Sequence, residues 1–476
     1  MNYQDLSIKL IQEQYKLKNS KSKSILVIIG GIELTRKNQS IKKLSELMDP
    51  RYLKIKAETP NRVKENKLIW QPYINDIPKN GQIMFFYGNW YTDLLASTIL
   101  NDEKIQNNVF NEHLKRIYEF ESYLKNNNVD IIKVWFDVSW SKVKIRTKNI
   151  DIINKIQRAP RFTWDDFPQK KWKTKTLYNQ IQTLRNRFTH DWVIINSENN
   201  IERNTQFSQL ILKHLKLPPV QIKNKFKYQA APIPSILTQI KKSEISHIEY
   251  KKTIKQLERK VADVLRYSSH NVVLVFEGMD AAGKGSSIKR IIKFLGLHEY
   301  NIHSISAPEN FERLRPYLWR FWNKHSTNGA LNIFDRSWYG RVLVERVEDL
   351  INPIEWQNAY EEINQYEKQL SDTNTIVIKF WLAISKDEQL RRFYKRKNTP
   401  QKSFKLTEDD WRNREKWDAY LQAASDMFKY TSTDISPWHI IANDSKYAAR
   451  IEILQTILHS VQNKNLGHLP QSQLFK

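Results

Sequence analysis

Short, mostly apolar runs alternate along this chain with longer stretches whose apolar positions recur at helical spacing, the pattern of strands separated by amphipathic helices. Val272 to Phe276 is apolar on both faces, which suits the centre of a parallel sheet covered by helices. Leu331-Asn332-Ile333-Phe334-Asp335 reads as a second buried strand that ends in an acid, and Ile376 to Leu382 reads as a third. These elements predict an α/β fold in which a parallel sheet is flanked by helices and carries a helical lid.

The pattern occurs twice. Displaced by 247 residues, the stretch from Ile25 (ILVIIGGIELTRKNQSIKK) falls on the stretch from Val272, with Gly31 on Gly278 and Lys37 on Lys284. Farther on the offset drifts by one residue either way. Phe86-Tyr87-Gly88-Asn89-Trp90-Tyr91 falls on Phe334-Asp335-Arg336-Ser337-Trp338-Tyr339, Lys133-Val134-Trp135 on Lys379-Phe380-Trp381, and Trp192 on Trp438. With 476 residues the chain is too long for one ordinary core, and the kept register identifies a tandem duplication of one α/β domain. A cluster of prolines in LPPVQ and APIPS marks the junction. The expected domains are residues 1–220 and 245–476, joined by a linker over 221–244.

The stretch VVLVFEGMDAAGKGSSIK carries the chemistry. Gly278 and Gly283 let the chain after the strand turn through conformations closed to other residues and bring backbone N–H groups near an anion. Lys284 adds a point charge, and a helix expected from about Ser286 points its positive end at the same place. This is a P-loop, a seat for phosphates. It departs from G-x-x-x-x-G-K-[ST] because Gly285 stands where a Mg²⁺-binding Ser or Thr is expected, with Ser286 one residue late. Asp280, inside the loop, is an extra carboxylate that suits a metal.

Asp335 ends the neighbouring strand, where an acid can bind Mg²⁺ directly or through water. Arg336 and Arg341 follow it and suit the neutralisation of phosphate oxygens. Past the third strand, Arg391, Arg392, Lys395 and Arg396 crowd a helical stretch where like charges repel unless an anion arrives, as in a lid that closes over phosphates. In the first copy the second loop glycine has become Arg36, Glu33 answers Asp280, and Tyr87 and Gly88 replace Asp335 and Arg336. That copy is expected to keep the fold without the catalysis. Trp319, Trp322, Trp411, Trp417 and Trp438 are expected chiefly as core packing.

A net charge of +26 implies attraction to polyanions without choosing among them. The absence of cysteine excludes disulfides, thiolate metal sites and a nucleophilic thiol. The first twenty residues lack the apolar core of a signal peptide and no run is long enough to span a bilayer, so a cytoplasmic protein without membrane contact is expected.

GMDAAGKG, APENFERLRPYLWRFW, FDRSWYGRVLVERVE, KFWLAISKDEQLRRF, LTEDDWRNREKWDAY and SPWHIIANDSKYAAR resemble successive blocks of the second family of polyphosphate kinases. The two-domain organisation resembles its class II branch. The resemblance implies phosphoryl transfer from inorganic polyphosphate to AMP, giving ADP, with Mg²⁺. It implies that Asp280, Gly283, Lys284 and Gly285 hold phosphate, with Gly278 and Ser286 in the same loop and Asp280 also near the metal. Asp335 would be the second acidic group, Arg336 and Arg341 would grip the transferring phosphate, and Arg391, Arg392 and Arg396 would close from the lid. Gly285 fits this family's GKG form. The other readings to be separated are an ADP or GDP acceptor, an ATP-dependent nucleotide kinase, and a nucleic-acid-binding protein; the expectation is no nucleic acid. Two assembly states stay open: a monomer whose domain pair imitates a dimer, or a higher homo-oligomer.

Overall fold

The computed structural model describes residues 3–58, 63, 67–100, 107–156, 174–220, 224, 226–324, 331–404 and 406–465. The chain forms two compact units, the first from Met1–Gln221 with Pro308–Trp319, the second from Ile222–Ala307 with Arg320–Lys476.

In the first unit β1 (Ser24–Gly30), β2 (Leu53–Lys56), β3 (Ile83–Phe86), β4 (Val129–Asp137) and β5 (Val193–Asn196) form a sheet in the order β2-β3-β1-β4-β5. In the second, β6 (Asn271–Gly278), β7 (Tyr300–Ser304), β8 (Leu331–Asp335), β9 (Thr375–Ala383) and β10 (Trp438–Ala442) lie in the order β7-β8-β6-β9-β10. Every neighbouring pair is parallel. The two orders are the same once each unit is counted from its own first strand, so the repeat seen in the sequence is a repeat of topology. β9 is buried along its whole length and β6 over all but its two end residues, because helices cover both faces and no polar alternation is required. The β6–β8 register sets Phe276 opposite Asp335, and the β6–β9 register sets Gly278 opposite Leu382. Loops at the carboxyl ends of these strands are where such sheets hold their ligands.

The duplication extends to a buried polar cluster. In the second unit Trp338 Nε1 and Tyr339 Oη donate to Glu367 Oε1 at 3.1 and 2.7 Å, and Lys379 Nζ donates to Glu367 Oε2 at 2.7 Å. In the first, Trp90 Nε1 donates to Glu121 Oε1 at 3.1 Å and Lys133 Nζ to Glu121 Oε2 at 2.9 Å. Burial pushes the Lys379 pKa down, against the pull of Glu367. Trp322, Trp417 and Trp438 are buried, as the expectation of core packing required, and Trp411 packs edge-on against Phe393.

Two segments sit where the linear reading does not put them. Part of the proline-rich stretch expected as a linker is laid along the second unit: Tyr228 Oη and the Ala231 N–H donate to Asp426 at 2.8 and 2.6 Å, beside Arg346 at 2.7 Å. Pro308–Trp319, which follows β7 in sequence, belongs to the first unit, where Leu318 N–H donates to Tyr123 Oη at 2.9 Å and Trp319 Nε1 to the Ile74 carbonyl at 2.8 Å. Among the described residues no helix is long and apolar enough to cross a membrane.

Because a buried charge left without its partner is costly, Lys379→Met alone is expected to destabilise the protein by about 3–5 kcal/mol. The pair Lys379→Met with Glu367→Gln is expected to recover much of that loss, as read from urea unfolding midpoints of the two variants.

Candidate active site

β6 ends at Gly278, and the chain turns back through Met279–Gly283 into the helix Lys284–Ile291. Gly278, Ala281 and Gly283 have φ of 136°, 61° and 120°. A Cβ on Gly278 would collide with the Leu382 carbonyl of β9, so this residue must be glycine for space as well as for conformation. The helix begins at Lys284, two residues before the position expected from sequence, because Gly283 occupies the left-handed cap directly ahead of it.

Lys284 Nζ folds back on the loop and donates to the carbonyls of Gly278 and Met279 at 2.6 and 3.3 Å. Burial lowers its pKa, while Asp280 and Asp335 hold the charge up. Ser286 Oγ donates to the Gly283 carbonyl at 2.8 Å. Asp280 is fixed on both sides: Oδ1 lies 3.3 Å from Arg336 Nη2, and Oδ2 accepts from Asn413 Nδ2 at 2.8 Å. Asn413 is in turn held by the Tyr420 hydroxyl at 3.1 Å. Asp335 ends β8 with Oδ2 3.7 Å from where a Cβ on Gly285 would stand, so the GKG form leaves this carboxylate facing the start of the helix. The loop thus brings Gly278, Asp280, Gly283, Lys284, Gly285, Asp335 and Arg336 together.

The remaining arginines are placed differently. Arg392 is almost fully buried: Nη1 donates to the Ala281 and Ala282 carbonyls, both at 2.9 Å, Nη2 to the Asp444 carbonyl at 2.6 Å, and Nε to Glu388 at 2.5 Å. It braces the loop, including left-handed Ala281. The first unit carries the same brace, with Arg146 donating to the Leu34 and Ser197 carbonyls at 2.7 Å each. Arg391 is exposed and pairs with Glu388 at 2.6 Å, Arg396 lies 3.9 Å from Asp410, and Arg341 is bound by Glu345 and Glu355 at 2.8 and 3.0 Å. The anion that makes the Arg391–Arg392 cluster favourable is Glu388 of the same helix, a partner legible in SKDEQLRRF.

Beside the loop lies a small open cleft lined by Leu343, Val344, Trp381, Trp417 and Tyr420 together with Glu277 to Asp280. Glu277, Asn413 and Tyr420 escaped the sequence reading. The acid of VVLVFEG, inside an apolar strand, was a signal that could have found Glu277; nothing local marks Asn413 or Tyr420. In the first unit Arg36 keeps a left-handed φ of 61°, and Lys37 donates to the Gly31 carbonyl with its ammonium 4.7 Å from the centre of the Tyr87 ring. An aromatic face has replaced the carboxylate. The first copy's counterpart of the lid, Ser139 to Arg161, runs beyond the described residues, which stop at 156.

The model of the family described as polyphosphate kinase 2 matches residues 1–224 and 243–468. The chain belongs to the polyphosphate kinase 2 family. Similar proteins include a polyphosphate:AMP phosphotransferase of Acinetobacter johnsonii, 47% identical over 467 residues and 97% of both chains, and one of Pseudomonas aeruginosa, 33% identical over 95% of this chain and 93% of that one. A crystal structure of a polyphosphate kinase 2 from Pseudomonas aeruginosa superposes with a TM-score of 0.80 at 31% identity, covering 97% of this chain and 95% of the other. The polyphosphate kinase 2 match thus spans both copies, the altered one included.

Removing the brace should cost more than removing its neighbour. Arg392→Met is expected to destabilise the second unit by roughly 2–4 kcal/mol, since it leaves loop carbonyls and Glu388 without their donor. Arg391→Met, on the exposed face, is expected to change stability by less than about 0.5 kcal/mol in the same denaturant titration.

Proposed function

We propose that this chain transfers a phosphoryl group from inorganic polyphosphate to AMP, yielding ADP, at the loop of the second unit. The observation that carries this reading is the convergence of Lys284, Arg336, Asp280 and Asp335 on one glycine loop, in a chain that aligns over nearly its whole length with a polyphosphate:AMP phosphotransferase. Loop N–H groups and the helix N-terminus supply fixed partial positive charge, and Lys284 and Arg336 supply mobile full charges. Together they let two phosphate groups that repel each other lie in line.

In a loose transition state the negative charge spreads over the equatorial oxygens, so alignment and electrostatic stabilisation do the work and no covalent intermediate is required. The attacking phosphate of AMP is already ionised, which removes the need for a strong general base. Lys284, held on the loop carbonyls, needs only to exchange them for phosphate oxygens. Arg341, Arg391 and Arg396, now paired with carboxylates, join the phosphates in this reading only by exchanging partners, whereas Arg392 contributes through the loop that it braces. Walls of Trp381, Trp417 and Tyr420 suit a flat, partly apolar acceptor.

Mg²⁺ fits this arrangement, because it is commonly held by one or two carboxylates together with substrate phosphates. Among the described residues no three His, Cys, Asp or Glu side chains converge as a metal cage, in keeping with a metal that arrives with phosphate. Asp280 and Asp335 would hold it, and when bound it would neutralise charge on the transferring group. The first unit, with Tyr87 and Gly88 in place of Asp335 and Arg336, is assigned no turnover. A cytoplasmic location for the reaction is part of the same proposal.

The test is a panel of AMP, ADP, GMP and GDP with polyphosphate, run with Mg²⁺ and with a chelator. The expected result is rapid ADP formation from AMP that depends on Mg²⁺, with little transfer from ATP when no polymer is present. Preference for ADP or GDP would move the assignment to another acceptor. Lys284→Ala is expected to lower kcat roughly 100- to 1000-fold, the usual loss for a preorganised charge contact.

A further inference from the structure

One buried acid beside the loop has no role in the mechanism above. Glu277, the penultimate residue of β6, is 5% exposed, and its Oε1 accepts from Ser337 Oγ at 2.8 Å. Ser337 Oγ also accepts from the Tyr339 N–H at 3.3 Å and so caps the short turn that leads to Arg341. Immediately before it stands Arg336, with a left-handed φ of 66° and its N–H bonded to the Phe276 carbonyl at 3.0 Å. Glu277 is therefore tied to the turn that carries Asp335 and Arg336. Burial pushes its pKa up, while Ser337, Lys284 and Arg336 pull it back down.

The first copy separates the tie from the charge. Gly30 occupies the place of Glu277, and a Cβ there would collide with the Trp135 ring. Asn89 occupies the place of Ser337: its Nδ2 donates to the Ile29 and Phe86 carbonyls at 2.9 and 3.3 Å, and its Oδ1 accepts from the Tyr91 N–H at 3.1 Å. Strand and turn are joined there without any carboxylate. The fold thus has an uncharged solution to the structural task, and burying an acid is unfavourable unless charges compensate it. Both of those charges are present only in the second copy. Arg336 lines the same cleft as Glu277, and its charge and that of Lys284 both act on the acid, whereas Gly88 stands at the position of Arg336 in the first copy, and Lys37, on the Gly31 carbonyl, faces the Tyr87 ring.

We infer that Glu277 is a positioning residue for phosphoryl transfer, its carboxylate offsetting the charges of Lys284 and Arg336 and holding both in register until phosphate enters between them. The inference rests on the reading of this site as a phosphoryl-transfer centre. It has a consequence that a purely structural role does not. Removing the charge while keeping the hydrogen bond strengthens the positive field seen by an anion and at the same time loosens the alignment of its two donors. Binding and turnover then move in opposite directions.

Glu277→Gln keeps an oxygen to accept from Ser337 and loses the charge. In the full-length protein its kcat for AMP with polyphosphate is expected to fall on the order of 10- to 100-fold, the scale of a misplaced rather than a deleted catalytic group. Its Kd for polyphosphate of defined length, from calorimetry without AMP, is expected to tighten about threefold or more, as Coulomb attraction to the freed cations predicts. The thermal midpoint is expected to stay level or rise, and Glu277→Asp to recover part of the lost kcat. Wild-type kcat in Glu277→Gln would overturn the inference. So would a loss of kcat accompanied by weaker polyphosphate binding and a lower thermal midpoint, which marks a structural prop. If the wild-type protein transfers nothing to AMP while Glu277→Gln still tightens polyphosphate binding, the charge offset stands and the proposed function falls.

Discussion

At the end of β6 the backbone of Gly278 runs so close to the Leu382 carbonyl of β9 that no side chain fits between them. That approach fixes where the loop starts, and the Met279 N–H bond to the same carbonyl at 3.0 Å fixes its direction. From there the chain passes through left-handed Ala281, a conformation that costs about 1 kcal/mol in a residue other than glycine. The cost is met by Arg392 of the helix Lys386–Lys397, which binds the Ala281 and Ala282 carbonyls. The polar groups of the candidate site depend on this frame, because Lys284, Asp280 and the helix N-terminus all take their positions from it.

The two copies show which parts of the frame belong to folding. The left-handed residue ahead of the lysine, the arginine brace, and the buried Trp–Glu–Lys cluster are present in both. The groups that meet in the second copy and are missing from the first are Asp335, Arg336 and Glu277. An altered copy can therefore lose the charges that face phosphate without losing its sheet. Lys37 illustrates the physical route: a buried ammonium still needs a partner, and the Tyr87 ring with the Gly31 carbonyl supplies one where a carboxylate has gone.

Much of this was legible in the sequence because strands buried on both faces leave continuous apolar runs, and glycines forced by backbone geometry cannot drift. Val272 to Phe276 and Leu331 to Asp335 lie in strands at or near the expected ends, and the internal repeat became a repeated strand order. The lid arginines were harder to place. Their spacing showed a crowd of positive charge, but which of them faces a phosphate and which faces a carbonyl is a matter of helix rotation against the loop. Arg392 points inward to the backbone and Arg391, one residue earlier, points to solvent.

By itself the sequence determined the α/β class, the duplication, the loop with its lysine and flanking acids, and the family to which those blocks belong, since each is encoded by residue type at fixed spacing. Only the tertiary structure decided that Asn413 and Tyr420 hold Asp280, that Arg392 is a brace, that Pro308–Trp319 lies with the first unit, and that Glu277 is buried and tied to Ser337. Most of these are contacts between residues tens to hundreds of positions apart. Their energies come from burial and charge compensation, which exist only once the chain has closed around them.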